Sequence, residues 1–170
     1  MQLTPEQALL LLHTSLPTLE REHQTTVRLL EAVPADKADY RPDPNSMSAF
    51  DLAWHIASAE DRFLAAVVRG AFDFTPVAKK QTMPEVVAFY QQTFAKNLAG
   101  LKGLTGEQAA KIVDFRGMMQ LPAVAYLSFN HGHIVHHRGQ LSVYLRPMGA
   151  KVPAIYGESY DSKAAKAAHS

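Results

Sequence analysis

Four long stretches of helical character, each closed by Pro or Gly punctuation, confine this chain to an all-α fold. The first begins after Thr4, a good N-cap, with Pro5 in the first turn. Pro17 interrupts it. Either the helix kinks there, or Ser15 caps a second helix that runs from about Leu16 to Val33, where Pro34 closes the segment. Residues 34–47 (PADKADYRPDPNSM) are rich in Pro and Asp and read as a loop. Ser48 followed by Asp51 opens the next helix, which should reach Arg69 with Gly70 as its stop. A third runs from about Pro84 to Lys102 or Gly103. It is followed by a short turn at 105–110 and a small hairpin within 111–119. The fourth begins near Pro122 and runs to about Arg146, before Pro147 and Gly149. The connections are longer than the usual ~2–8 residues of a simple up-down bundle, which predicts a crossover. The organisation expected is a helical extension over residues 1–15, a bundle over 16–157 and a frayed polar tail over 158–170.

Composition narrows the function. A chain of 170 residues with 47% apolar content can bury one domain's core. The net charge of +1 is scattered along it, so no basic stripe for nucleic acid is present. There is no Cys, hence no disulfide, thiolate ligand or Cys nucleophile; any thiol chemistry needs a thiol that arrives as substrate. No segment approaches the ~18 apolar residues of a membrane span. The early apolar run 8–12 lacks the flanks of a signal peptide, and a cytoplasmic protein is expected.

The chemistry concentrates in histidine. His133 and His137 are four residues apart in HGHIVHHRGQLSVYL, and His55 lies upstream in AFDLAWHIASAEDRFL. An i, i+4 pair projects from one helix face, about 6 Å apart along the axis. A third imidazole on a facing helix would complete a three-nitrogen metal site with an open position. By itself an H-x-x-x-H pair is more often packing than ligation, and with 8 histidines in the chain some are incidental. The stripe that carries the pair also holds Tyr126, Asn130, Gln140 and Tyr144. Asn130 and Gln140 are expected to act as supporting hydrogen-bond partners or pocket residues, with Tyr126 and Tyr144 flanking. His136 is placed beside the centre, His131 at the surface and His169 in the tail, while His13 and His23 carry no spacing signal. Arg62, on the His55 stripe, is positioned to meet an anionic substrate group or to pair with a nearby acid. A zinc-protease motif is excluded because Ile134 stands where its Glu base belongs. A di-iron bundle site is excluded because the stripe carries no carboxylate. No catalytic residue is assigned.

The segments SMSAFDLAWHIASAEDRFL, NHGHIVHHRGQLSVYLRPMG and VPAIYG together resemble the DinB family, the DinB/YfiT-like metalloenzymes, over residues 16–157. The resemblance implies a four-helix bundle in up-down-down-up order and a three-His site on His55, His133 and His137, the residues chosen above from spacing. The family includes thiol-dependent enzymes, such as mycothiol-dependent maleylpyruvate isomerases and bacillithiol transferases, beside members with no assigned reaction. The expectation is a divalent metal ion, zinc or nickel first, with iron, manganese or copper as alternatives. The metal would activate a low-molecular-weight thiol toward a small electrophile in S-transferase or isomerase chemistry. A hydrolase using metal-activated water and a non-catalytic metal- or ligand-binding stress protein are the rivals. A homodimer is expected from apolar bundle faces.

Overall fold

Capping chemistry sets most of the helix starts. In the computed structural model, which describes residues 2–167, α1 (Pro5–Glu31) opens on a reciprocal capping box between Thr4 and Gln7. α2 (Ala49–Arg69) starts on Ser48, whose hydroxyl oxygen accepts the Asp51 N–H at 3.0 Å. α3 (Met83–Lys102) and the short α4 (Gly106–Ala110) open on Thr82–Glu85 and Thr105–Gln108 boxes. α2 stops at Gly70, whose left-handed φ of 67° suits a residue without Cβ. An antiparallel hairpin follows, β1 (Ile112–Phe115) with β2 (Met119–Pro122), and then α5 (Ala125–Leu145) and α6 (Tyr160–Ala167).

One open alternative closes and one helix start moves. Pro17 does not divide the first segment: α1 is one helix, and the Ser15 hydroxyl donates back to the Leu11 carbonyl at 2.7 Å instead of capping a new start. Buried Leu12, Leu16 and Leu19 flank the proline, and their packing outweighs its missing N–H. The fourth long helix starts at Ala125 rather than near Pro122, because Pro122 ends β2 opposite Ile112. The stretch expected to fray is helical over residues 160–167. Asp161 there accepts from Arg146 and from the Val152 N–H at 2.9 Å, which ties the segment to the bundle. Residues 168–170, His169 among them, lie outside the described residues.

The long helices pack as a ring in which α1 and α2 each contact α3 and α5, so α1 and α2 are diagonal. This is an all-α up-down-down-up bundle. One apolar cluster, with Leu29, Leu30, Leu52, Ile56 and Leu141, fills one end. A second, with Leu12, Leu64, Leu101 and Val124, fills the end nearer the hairpin. Along α1 and α2, buried His23 and Glu60 fall between the two clusters. No helix among the described residues is long and apolar enough to cross a membrane.

Candidate metal centre

Because α2 and α5 are neighbours, the His55 stripe of one faces the His133–His137 stripe of the other. The three ring edges converge. His55 Nε2 lies 3.0 Å from His133 Nε2 and 3.1 Å from His137 Nε2, with all three side chains half-buried. The rings are tilted 56° to 81° to one another, so they meet edge-inward rather than stacking.

Electrostatics keep this cluster neutral. Burial comes first in holding all three imidazoles below their ordinary value. At His55 the charges of His137 and Arg62 push the same way. His133, hemmed in by His137, His55 and His136, falls to about 4. At His137 the hydrogen bond to the Gln140 amide oxygen works against burial without reversing it. Neutral imidazole is the form that ligates a metal. His137 Nδ1 donates to Gln140 Oε1 at 3.2 Å, which leaves Nε2 as a lone pair aimed at its neighbours. The Gln140 amide in turn donates to the Tyr144 hydroxyl at 3.2 Å, fixing which way the amide points.

Three imidazole nitrogens this close must share either a proton or a cation among them. The candidate ligand atoms lie within 4.8 Å of one another, and all are imidazole nitrogens, a donor set suited to zinc, nickel, iron or copper. The residues present therefore fit a divalent ion. Away from the converging nitrogens, His133 Nδ1 and both amide atoms of Asn130 are buried without a partner. Each such atom costs about 1–3 kcal/mol.

The other anticipated residues divide. Gln140 and Tyr144 form a chain behind His137. Asn130 lies one turn before His133, fully buried, yet bonds to neither ring. His136 is exposed and meets the His137 ring edge-on at 4.8 Å. Tyr126 is not at the centre. It is fully buried, and its hydroxyl points at the carbonyls of Val113 (2.9 Å) and Met119 (3.2 Å), pinning the hairpin. Arg62 lines a cavity of about 290 Å³ that opens beside His55 and His133. Among the described residues Arg62 forms no ion pair, so the alternative of a helix-tying acid partner is not what the structure contains.

Sequence reasoning missed a buried polar network behind the site. Arg138, 1% exposed, donates to the Glu22 carbonyl and Thr26 Oγ1 at 3.2 Å, pairs with the Glu22 carboxylate and reaches the Tyr156 hydroxyl. Glu60 accepts from the Tyr90 hydroxyl at 2.9 Å and meets His23 Nδ1 at 3.2 Å, while the His23 ring stacks on Phe94. A signal existed. Arg138 continues the apolar spacing Ile134–Leu141–Leu145, Glu60 that of Ile56–Leu64–Val67, and His23 that of Leu16–Leu19–Leu30. Charged or polar residues at core positions of an amphipathic helix are candidates for a buried network.

Comparison with known proteins agrees with this arrangement. The profile of the DinB family matches residues 6–168, extending the resemblance read from the sequence to the first turn of α1 and beyond residue 157. The Bacillus subtilis protein YjoA is 31% identical over 128 residues, covering 73% of this chain and 82% of its own. Its crystal structure, described as DinB-like, superposes with a TM-score of 0.71 at 25% identity over 85% of this chain and 99% of that one. A DinB-like protein from Bacillus cereus superposes with a TM-score of 0.70 at 23% identity, covering 92% and 100%.

Proposed function

The chain belongs to the DinB family, and on that premise we propose that it is a metal-dependent enzyme acting on a low-molecular-weight thiol and a small electrophile. His55, His133 and His137 would hold one divalent ion. The observation that carries this reading is the convergence of three neutral imidazoles from two helices with no carboxylate among them. Such a ligand set leaves a bound ion its full positive charge, and the ion then stabilises a thiolate or lowers the pKa of water.

The chain's own residues prepare that chemistry. Gln140 and Tyr144 hold the His137 ring with its proton on Nδ1. Arg62, at the cavity beside His55, attracts an anionic substrate group. The phenylalanines of the same cavity exclude water, which strengthens every charge interaction inside it. The chain has no cysteine, so no internal thiolate competes for the ion and the thiol arrives as co-substrate.

The test begins with protein purified without a metal resin. It should take up one zinc or nickel per chain by equilibrium dialysis. His137→Ala should lose that uptake while its circular dichroism stays helical, because apolar packing holds the bundle. The loaded protein is then given 1-chloro-2,4-dinitrobenzene with and without added cysteine. Turnover that needs the thiol and disappears in His137→Ala supports the proposal. Thiol-independent hydrolysis of 4-nitrophenyl acetate, given to the same sample in parallel, would make the protein a hydrolase. Uptake with neither reaction would make it a metal-binding protein, and absence of uptake overturns the reading. Light scattering on the same sample reads the expected homodimer.

A further inference from the structure

The cavity beside His55 and His133 has a wall of aromatic rings and two guanidinium groups that ion binding leaves unused. Phe63 from α2, Phe115 from β1 and Phe129 from α5 come together there. Phe63 lies 5.8 Å from Phe115 in a stacked pair and 5.2 Å from Phe129, with 6.4 Å between Phe115 and Phe129. Phe63 also lies 6.0 Å from the His133 ring, so the aromatic wall runs up to the imidazoles. On another side, the Phe74 ring carries both arginines: Arg116 Cζ is 4.0 Å and Arg62 Cζ 6.0 Å from its centroid. Neither arginine forms an ion pair among the described residues. Two like charges directed at one small cavity repel, and an anion between them would offset that.

The backbone at Arg116 is unusual in the same direction. Its φ is 55°, in the left-handed region that side chains other than Gly and Asn rarely adopt. It is followed by Gly117 at φ 71° in the turn closed by the Met118 N–H on the Phe115 carbonyl at 3.0 Å. A turn with two positive φ angles favours Asn or Gly at its first central position. Here it carries an arginine, braced by Asp114, which accepts the Gly117 N–H at 3.0 Å, and by the Tyr126 hydroxyl beneath both strands. Strain of this kind clusters at functional sites.

We propose that this cavity is the subsite for a small aromatic carboxylate. Its ring packs among Phe63, Phe115 and Phe129, and its carboxylate is held by Arg62 and Arg116. This rests on the proposed metal site, of which it is the substrate-binding half. A volume of about 290 Å³ lies at the lower edge of the ~300–1,000 Å³ typical of small-molecule pockets, which fits one or two fused rings. The guanidinium forks match a carboxylate, and aromatic pairs gain from edge and offset contacts.

The probes are 2-naphthoate, neutral 2-naphthylmethanol and non-aromatic cyclohexanecarboxylate, titrated by calorimetry into zinc-loaded and chelator-treated protein. Naphthoate should bind at least tenfold more tightly than either control. Arg116→Gly suits the turn, so its melting temperature should not fall, yet it should weaken naphthoate about tenfold and leave naphthylmethanol unchanged. Arg62→Gln should act likewise, and Phe129→Ala should weaken both naphthyl probes. The proposal is overturned if naphthoate binds no better than the alcohol, or if both arginine variants bind it as the wild type does. It is also overturned if binding disappears with the metal and ignores the arginines, which would mean that the carboxylate merely ligates the ion. Failure of the metal reading looks different: zinc is not taken up, while naphthoate still binds the metal-free protein with its Arg116 dependence intact.

Discussion

His133 is the side chain whose protonation this fold opposes most. Its ring sits among His137, His55 and His136 in a half-buried groove and is pushed down to about 4. In the unfolded chain it returns to about 6.5. Below that pH the unfolded chain takes up a proton that the folded one refuses, so stability that is complete above pH 6.5 declines toward pH 4. His55 and His137 shift in the same direction and add to the slope. The depressed carboxylates lose their contribution at lower pH, which leaves the interval from 6.5 to 5 to the histidines. The urea midpoint of metal-free protein should therefore fall between pH 7 and pH 5, and fall less in His133→Gln. A wild-type midpoint that is flat over that interval would count against the burial described here. The three imidazoles were legible because helical spacing states which residues share a face. The same reasoning misplaced Tyr126. A helical projection gives angle but not height, and Tyr126 lies seven residues, about 10 Å, before His133 along α5. There it meets the hairpin instead of the centre.

Among the elements, the hairpin depends most on a single contact. Its two strands are four residues each and join no other strand among the described residues, and a two-stranded ribbon alone is marginal in water. The Tyr126 hydroxyl, bonded to a carbonyl on β1 and another on β2, holds the pair against α5. Tyr126→Phe keeps the buried ring and removes the bond. It should cost about 1–2 kcal/mol and raise hydrogen exchange across residues 112–122 while the helices stay protected. Equal loosening throughout would mean that the hydroxyl is not a local clamp. Helix limits were legible where local chemistry sets them: the Ser48 cap and the Gly70 stop need no knowledge of the rest of the chain. They were misread where a partner decides. Pro122 resembles a helix start until β1 pairs with it, and residues 160–167 resemble a loose tail until Arg146 and Val152 meet Asp161.

At the scale of the whole molecule, the buried network crosses the bundle. Arg138 of α5 reaches Glu22 and Thr26 of α1, and Glu60 of α2 reaches His23 of α1 and Tyr90 of α3. Arg138→Ala leaves Glu22 beside an empty space and should destabilise the protein by about 3 kcal/mol, near the lower bound for a broken buried pair, because Glu22 keeps some access to water. Adding Glu22→Gln should restore part of the loss in chemical denaturation; strictly additive effects would show that the two side chains are not coupled. These contacts escaped sequence reading because core spacing marks a charged residue for burial without naming its partner, which only the facing helices supply. Their arrangement also acts as a key in a keyway. Leucines tolerate a helix that slides by one turn, since another leucine takes the vacated place. Arg138 and Glu60 have no such substitutes, and a slide of about 5.4 Å would strand both. The same slide would pull His133 and His137 away from His55, so the helix pairing that keeps the buried charges matched also keeps three nitrogens at one height.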